Sequence, residues 1–403
     1  MLGTIPPAPS GPFGRMNPLR QPISTRRALT GAAIAVAAGA ALALPSTGMG
    51  GVAAVQDDVL TTAPSTEIPA RLQLVRNTRA KVTRFDILWS FVATRQPLAP
   101  ANPADPAYDW SRIDQVLLGF EQTNITPIVS TYSTPVFAQA TRATSFTTAY
   151  NPNAPTPAAF GAFMKAVATR YSGSYPNPAG GTLPRVRHYE VWNEPNLRGF
   201  FRFGNNSNLG KYKGLVKAAY TNIKSANRRA IVIAGVGGPR SSGGNGNIGA
   251  KTWMNRLVND KSLKFDAYSQ HIYPSRGPKF SSRSYDRAFP TWNSLEEIYK
   301  ILDKKRKGMK LYVTEAGYTT ARTPFRNVRV TPAQQNLYLK QLFNLPLVKS
   351  PRMAAVVWFN LEDNRFWPGG LLRANGSKKP SYKSFVKFAR RPIPGNLRSA
   401  LAN

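Results

Sequence analysis

The chain has 403 residues, 42% of them hydrophobic and 11% aromatic, so it is long enough to bury a large core. It contains no cysteine, which excludes disulfides, thiolate nucleophiles and cysteine-ligated zinc, and its two histidines are too few for most histidine-based metal sites. The formal net charge of +35 favours contact with polyanions. The Lys and Arg residues are scattered, however, and form no recognisable nucleic-acid-binding module.

The N-terminal segment has the layout of an export signal. Residues 1–43 hold four arginines and no acidic residue, and they lead into the apolar stretch 31–44, which is too short to span a bilayer as a mature helix. Ala41-Leu42-Ala43 fits the small residues that a signal peptidase accepts, and Arg26-Arg27 resembles a twin-arginine signal. We therefore expect a secreted protein without a mature membrane span; the alternative is a buried N-terminal helix. Removal of residues 1–43 would lower the charge from +35 to +31.

From residue 51 onward, short apolar runs rich in β-branched residues alternate with longer helical patterns. The predicted strands are Val52–Gln56, Lys81–Trp89, Thr126–Thr131, Arg187–Trp192, Ile231–Gly235, Ala267–His271, Leu311–Thr314 and Ala354–Phe359. The predicted helices include Trp110–Gln122, Pro157–Tyr171, Tyr212–Ala226, Ala250–Asn259, Ser294–Lys307 and Pro332–Phe343. Eight strands in such an alternation predict an α/β fold, a single-domain (β/α)8 TIM barrel over residues 44–390 followed by a C-terminal tail, 391–403.

The acidic residues are few, and several follow predicted strands. The chain has 19 Asp and Glu residues. Those at predicted strand ends are Asp57, Asp58, Glu194, Glu315, Glu362 and Asp363. Long Gly-, Pro-, Ser- and Asn-rich segments also follow strands, at 133–156, 197–210, 237–249 and 274–292. In a (β/α)8 barrel these positions lie at the C-terminal face, where active sites are built.

Two segments carry a family resemblance. His188-Tyr-Glu-Val-Trp-Asn-Glu-Pro-Asn196 resembles the strand-four signature of clan A glycoside hydrolases, the barrel group that includes the cellulase-like family five and the xylosidase-like family thirty-nine. Leu311-Tyr-Val-Thr-Glu-Ala-Gly317 resembles the strand-seven signature of the same clan. The resemblance implies a retaining β-glycoside hydrolase in which Glu194 is the general acid/base and Glu315 is the nucleophile. Such an enzyme hydrolyses O-glycosidic bonds by double displacement through a covalent glycosyl-enzyme.

Other positions agree with the clan's pattern. Arg84 matches the strand-two arginine near the nucleophile, and Asn193 matches the residue that hydrogen-bonds the sugar 2-hydroxyl. His271 and Tyr273 match the strand-six residues that line the site, and Trp358 matches the strand-eight tryptophan under the sugar. The resemblance implies that Arg84 and Tyr273 keep Glu315 charged, and that the charge of Glu315 raises the pKa of Glu194.

Some assignments stay open at this stage. Trp89, Trp292 and Trp367 are weaker candidates for stacking on sugar faces, because a buried barrel tryptophan is the default. Tyr132 stands after strand three, where family-five enzymes often carry a histidine, and this favours either the xylosidase-like type or an unclassified branch. The sequence predicts neither a metal nor a cofactor; the lone match at Gly244-x-Gly246-x-x-Gly249 to a dinucleotide fingerprint lies far beyond its strand.

Two other functions are consistent with the charge. The first is a barrel without catalysis that binds acidic cell-wall glycans through its basic surface. The second is nucleic-acid binding, which predicts DNA retention that falls with salt. The expected partners are therefore a β-linked carbohydrate substrate and, by electrostatic association, anionic cell-wall polymers, without specific nucleic-acid recognition.

Overall fold

Eight parallel strands pair in chain order, and the last pairs with the first, so the sheet closes into a barrel. The computed structural model describes residues 50–141, 150–280, 291–323 and 328–401, which lie in the compact unit Ser46–Asn403. The predicted export signal, residues 1–43, lies outside the described residues. Among the described helices, none has the length and apolarity needed to cross a membrane.

The prediction of a (β/α)8 barrel is confirmed, and every predicted strand end lies within two residues of the observed one. The strands are β1 Val52–Gln56, β2 Val82–Leu88, β3 Thr126–Tyr132, β4 His188–Val191, β5 Ile231–Gly237, β6 Ala267–Gln270, β7 Lys310–Ala316 and β8 Met353–Phe359. Because β7 is longer than predicted, Glu315 lies inside the strand and not after it.

The helices alternate with the strands. They are α1 Ile68–Asn77, α2 Trp89–Val92, α3 Ser111–Gln122, α4 Pro157–Arg170, α5 Leu209–Ala226, α6 Ala250–Val258, α7 Ser294–Lys305, α8 Pro332–Leu342, α9 Pro346–Lys349, α10 Pro380–Ala389 and α11 Gly395–Leu401. Thr156 and Thr331 cap α4 and α8, each with a proline at the first helical position.

The core has two layers. The outer layer lies between the sheet and the helices, and it includes Val55 and Tyr189. The inner layer fills the N-terminal end of the barrel with apolar side chains such as Val82 and Ile128. The segment 391–403, which we expected to be a tail, contains α11. Its Leu397 and Leu401 are fully buried against this inner layer, so α11 closes the base of the barrel.

Candidate active site

Because side chains alternate between the two faces of each strand, a set of polar residues points into the C-terminal half of the barrel interior. In β4, Tyr189 and Val191 pack in the outer layer, so His188 and Glu190 face the interior. Arg84 on β2 and Glu315 on β7 share that interior, and their side chains form an ion pair at 2.9 Å. The C-terminal half of the barrel is thus charged, although its walls are apolar.

Arg84 is the centre of this region. Its side chain is fully buried, and all five guanidinium N–H groups have an acceptor within 2.9 Å. Nε donates to Glu190 Oε2, Nη1 to Gln56 Oε1 and Glu315 Oε1, and Nη2 to Ser130 Oγ and Asn193 Oδ1. Burial opposes the charge of Arg84, but the carboxylates of Asp86, Glu190 and Glu315 outweigh burial and raise the pKa of Arg84. The guanidinium therefore stays charged and fixed.

The backbone after β4 turns Glu194 into the barrel mouth. Trp192 and Glu194 have φ angles of 73° and 41°, in the left-handed region that non-glycine residues avoid. Trp192 packs in the outer layer as a result, and Asn193 and Glu194 enter the mouth. Gly238 after β5 leaves room for this turn, because a Cβ there would lie 3.0 Å from the Glu194 carboxyl carbon.

Arg84 also orients Asn193. Since the guanidinium donates to Asn193 Oδ1 at 2.8 Å, the amide nitrogen of Asn193 is left to donate elsewhere. Asn193 is 4% exposed, at the edge of the same mouth. The position is suited to a donor for a sugar hydroxyl.

His271 lies between the two candidate catalytic acids. Its Nδ1 is 2.9 Å from Glu194 Oε1 and 3.5 Å from Glu315 Oε2, and the ring is fully buried. Burial disfavours the charged ring, but the carboxylates of Glu315 and Glu194 outweigh burial and raise the pKa of His271. An imidazolium that donates to Glu194 Oε1 leaves Oε2 of Glu194 for a leaving group.

Both oxygens of Glu315 receive donors. Arg84 donates to Oε1 at 2.9 Å, and the Tyr273 hydroxyl donates to Oε2 at 2.8 Å. Burial raises the pKa of Glu315, and the charges of His271 and Arg84 oppose that rise without cancelling it. The family resemblance implied that Arg84 and Tyr273 keep Glu315 ionised. Burial acts against them, and its effect on the pKa of Glu315 is the larger one. His271 and Glu315, 3.5 Å apart, are close enough for the charge of each to affect the other.

The separation of the two acids defines the possible chemistry. One carboxylate oxygen of each glutamate and a ring nitrogen of His271 all lie within 4.8 Å of one another. Two facing carboxyl groups at such a distance fit on either side of one glycosidic bond. The same donors could in principle hold a divalent cation, but the fixed positive charge of Arg84, 2.9 Å from Glu315, would repel one.

The aromatic assignments need correction. Trp358 is fully buried in the outer layer, where its indole donates to the carbonyl of Gly369, so it offers no face to a sugar in the barrel mouth. Trp89 is 2% exposed and stacks on Phe163 at 4.9 Å, and Trp292 is 1% exposed. All three pack in the outer layer, because apolar rings gain more from burial between sheet and helices.

Partly exposed aromatic residues instead form two walls beside the acids. On the side of β6 and β8, Trp367 packs edge-on against Tyr273 at 4.6 Å and against Phe359 at 5.9 Å. On the side of β3 and β4, Tyr150 stacks on Phe200 at 5.1 Å. Tyr132 contacts Tyr150 edge-on, and its hydroxyl donates to Asp86. Of the weaker candidates, the structure thus brings Trp367 and Tyr132 to the site.

Sequence reasoning gave no role to two acids near the site. Glu190 is fully buried and accepts from Arg84 Nε at 2.7 Å, which fixes the guanidinium from below. Asp58 follows β1 and is half-buried. Burial and the charges of Asp86 and Glu315 raise the pKa of Asp58 to about 7. An acid within a strand, for Glu190, and an acid shortly after a strand, for Asp58, were the sequence signals that could have identified them.

Comparison with known proteins agrees with this geometry. The model of the family described as glycosyl hydrolases family 39 matches residues 78–390. Similar solved structures include a family 39 glycoside hydrolase from Bacteroides cellulosilyticus WH2, with 20% identity over 85% of this chain and a TM-score of 0.60. A monomeric β-xylosidase from Caulobacter crescentus CB15 has 18% identity over 86% and a TM-score of 0.63. A glucosidase from Croceicoccus marinus has 16% identity over 86% and a TM-score of 0.61.

The chain is shorter than these proteins. It covers 64% of the Bacteroides enzyme and 69% of each of the other two. At these identities the structures establish the shared fold, and the family model establishes the relationship over most of the barrel.

Proposed function

Since the chain belongs to glycosyl hydrolases family 39, we propose that it is a secreted β-glycoside hydrolase that retains the configuration of the anomeric carbon. The observation that carries this proposal is the short distance between Glu194 and Glu315: one carboxylate oxygen of each lies within 4.8 Å of the other. Retaining enzymes hold their carboxyl groups about 5 to 5.5 Å apart, whereas inverting enzymes need roughly 6.5 to 9.5 Å to admit a water.

The first half-reaction breaks the glycosidic bond. Glu315 attacks the anomeric carbon, and Glu194 gives a proton from Oε2 to the departing oxygen, so a glycosyl ester forms on Glu315. Arg84 and Tyr273 hold the two oxygens of Glu315 and thereby aim the carboxylate. The amide of Asn193 donates to the sugar 2-hydroxyl, a contact that strengthens in the transition state.

The second half-reaction releases the sugar. Once Glu315 is esterified, its negative charge is gone, and Glu194 loses a like-charged neighbour. Glu194 then takes a proton from water, which attacks the anomeric carbon and frees Glu315. His271, hydrogen-bonded to Glu194 Oε1, keeps the carboxyl group oriented through both steps.

Covalent labelling tests the proposal. A cyclophellitol-type β-glycoside inactivator should add one inhibitor mass to the protein, and peptide mapping should place it on Glu315. The Glu315→Gln variant should not be labelled, whereas the surface variant Glu296→Gln should be labelled like the parent. The sugar that labels fastest would identify the substrate class.

The stereochemistry gives an independent measurement. Proton NMR of early hydrolysis products should show the β-anomer before mutarotation. An α-anomer as the first product would overturn the retaining mechanism, and a label on an acid other than Glu315 would overturn the assignment of Glu315 as the nucleophile.

Export is proposed from the sequence of residues 1–43. A reporter fused to this segment should leave a bacterial cell with a twin-arginine pathway, and Arg26→Lys with Arg27→Lys should hold it inside. Unchanged export of the double variant would favour the general secretory route, and retention of both forms would contradict export.

A further inference from the structure

A groove rich in cations lies between α8 and α10 on the outer wall of the barrel. Its lining includes five basic side chains, all exposed, and no acidic residue within the described part of the chain. These five are Lys340, Lys378, Lys383, Lys387 and Arg390.

The helices give the groove a regular spacing. Lys383 and Lys387 lie four residues apart on α10, and Arg390 follows three residues later as the helical C-cap residue, so the three share one face and span about 10 Å at 1.5 Å per residue. Lys340 faces them from α8. A hydrogen bond of 2.7 Å from Ser384 Oγ to Asn336 Oδ1 joins the two helices.

The described part of the chain does not neutralise the charge of this groove. After Glu315 the chain has 15 Lys and Arg residues and two acids, Glu362 and Asp363. Each of these acids is already paired, Glu362 with Arg71 and Asp363 with Lys379. On α5, α6 and α7, by contrast, lysines pair with acids, as Lys251 does with Glu297 at 2.8 Å. Within the described residues, the five groove cations have no acidic partner.

The groove also has a direction. In this fold a helix that follows a strand begins at the C-terminal face and runs toward the base. Lys379, just before α10, binds Asp363 in the segment after β8. The Lys378 end of the groove is therefore on the side of the barrel mouth, and the Arg390 end is toward the base.

We propose that this groove binds an anionic polysaccharide and holds the enzyme on that polymer. Cleavage of glycosidic bonds at the barrel mouth while the polymer is held rests on the proposed function. Like charges four residues apart destabilise a helix unless a ligand neutralises them. A row of cations on one wall and Lys340 on the other fits a single extended polyanion with regularly spaced carboxylates or phosphates.

Two other polyanions fit the groove less well. Single-stranded nucleic acid needs exposed aromatic faces for its bases, but Tyr382 is 9% exposed and Lys378 lies over its ring at 4.9 Å. A membrane-surface helix needs exposed large apolar side chains on the bound face, and the groove lining includes none of the exposed large hydrophobic residues that the structure describes.

Fluorescence anisotropy with labelled polygalacturonate tests the proposal. The groove variant carries Lys383→Gln, Lys387→Gln and Arg390→Gln, and the matched control carries Lys264→Gln, Lys304→Gln and Lys307→Gln, so both lose three charges. All proteins carry Glu315→Gln, which separates binding from hydrolysis. We expect the groove variant to bind about tenfold or more weakly at 0.1 M salt with a shallower salt dependence, and the control to change less than about twofold.

Several outcomes would overturn the proposal. Equal weakening of both variants would mean that net charge alone causes binding. Unchanged binding of the groove variant would place the site elsewhere. A further outcome is that the parent protein binds duplex DNA or phosphatidylglycerol vesicles but not polygalacturonate. If the groove variant lost that binding, the groove would be assigned to a different polyanion. Because the binding assay uses an inactive background, a failed hydrolysis assay of the parent would leave its result intact.

Discussion

The two ends of the barrel interior differ in polarity: the base is apolar and the mouth is charged. At the base, Val82, Ile128 and the leucines of α11 form an apolar layer that excludes water. At the mouth, the same strands carry Arg84 and Glu190, which are fully buried charges. Burying charges opposes folding, whereas burying apolar side chains drives it. The base therefore stabilises the barrel, and this stability allows the mouth to hold the buried charges that the proposed catalysis needs.

The largest expected effect at the mouth concerns Glu194. Glu194→Ala should lower kcat/KM by about 10²- to 10⁴-fold for sugars with poor leaving groups, because the departing oxygen no longer receives a proton. Aryl glycosides with acidic phenols should lose much less. Added azide should restore turnover and yield a β-glycosyl azide, which mass spectrometry detects. Equal losses on both kinds of substrate, without azide rescue, would contradict the acid/base role.

The comparison predicts the largest stability change at Arg84. Arg84→Met leaves Glu190, Asp86 and Glu315 without their shared cation, and removal of one partner from a buried pair costs about 3 to 5 kcal/mol. Urea unfolding at pH 7 should show this loss, and the loss should be smaller at pH 5, because burial raises the pKa of Asp86 and of Glu315 and so favours their protonation.

An exposed ion pair provides the control for that measurement. Lys300 pairs with Glu296 at the surface, where the two side chains are 67% and 63% exposed, so Lys300→Met should leave the free energy of unfolding nearly unchanged. A loss in Arg84→Met no larger than in this control would mean that water reaches the site and screens its charges.

At the base, Leu401 should affect stability and leave catalysis alone. Its side chain is fully buried, and its carbonyl accepts from Thr126 Oγ1 at 2.9 Å. Leu401→Ala should lower the free energy of unfolding by about 2 to 4 kcal/mol, with kcat/KM nearly unchanged. The control is Leu98→Ala, since Leu98 is 98% exposed. A fall in kcat/KM of the folded Leu401→Ala variant would show that base and mouth are coupled.

The same contrast explains what could be predicted from the sequence. Apolar runs alternating with helical patterns were enough for the barrel and its eight strands. It was harder to predict on which face of the sheet each side chain lies. The sequence of β8 is Met-Ala-Ala-Val-Val-Trp-Phe, which is apolar on both faces, as is usual for parallel strands. No alternation therefore shows which residue points inward. Trp358 was placed at the sugar because it matches the clan's strand-eight tryptophan, and the apolar pattern gave no sign that it points outward. Phe359 is the partly exposed ring beside Trp367.

At the mouth, motifs carried information that periodicity did not. The segments around Glu194 and Glu315 placed both acids at strand ends, and the structure brings them together. The left-handed backbone at Trp192 has no signal in residue type, because glycine is the usual residue there. The motifs gave no role to Glu190, because they mark acids at strand ends, whereas Glu190 lies within β4, faces inward and pairs with Arg84.

The smallest predicted effect is a pH dependence of stability at Asp58. The pKa of Asp58 is raised to about 7, so between roughly pH 4 and pH 7 the folded state binds a proton that the unfolded state has released. The free energy of unfolding must fall as pH rises through that window. Asp58→Asn removes the dependence and should be about 1 to 3 kcal/mol more stable than the parent at pH 8, with little difference near pH 4.

Asp260 offers a control of opposite sign. Its pKa is lowered to about 2 by Lys213 and Ser262, so Asp260→Asn should lose stability relative to the parent at every pH above about 4. Urea unfolding of both variants at pH 4, 6 and 8 gives the two curves. If Asp58→Asn differed from the parent by the same amount at all three pH values, Asp58 would be ionised throughout. The mouth would then hold one more unneutralised charge, and the base would have to offset more than these contacts indicate.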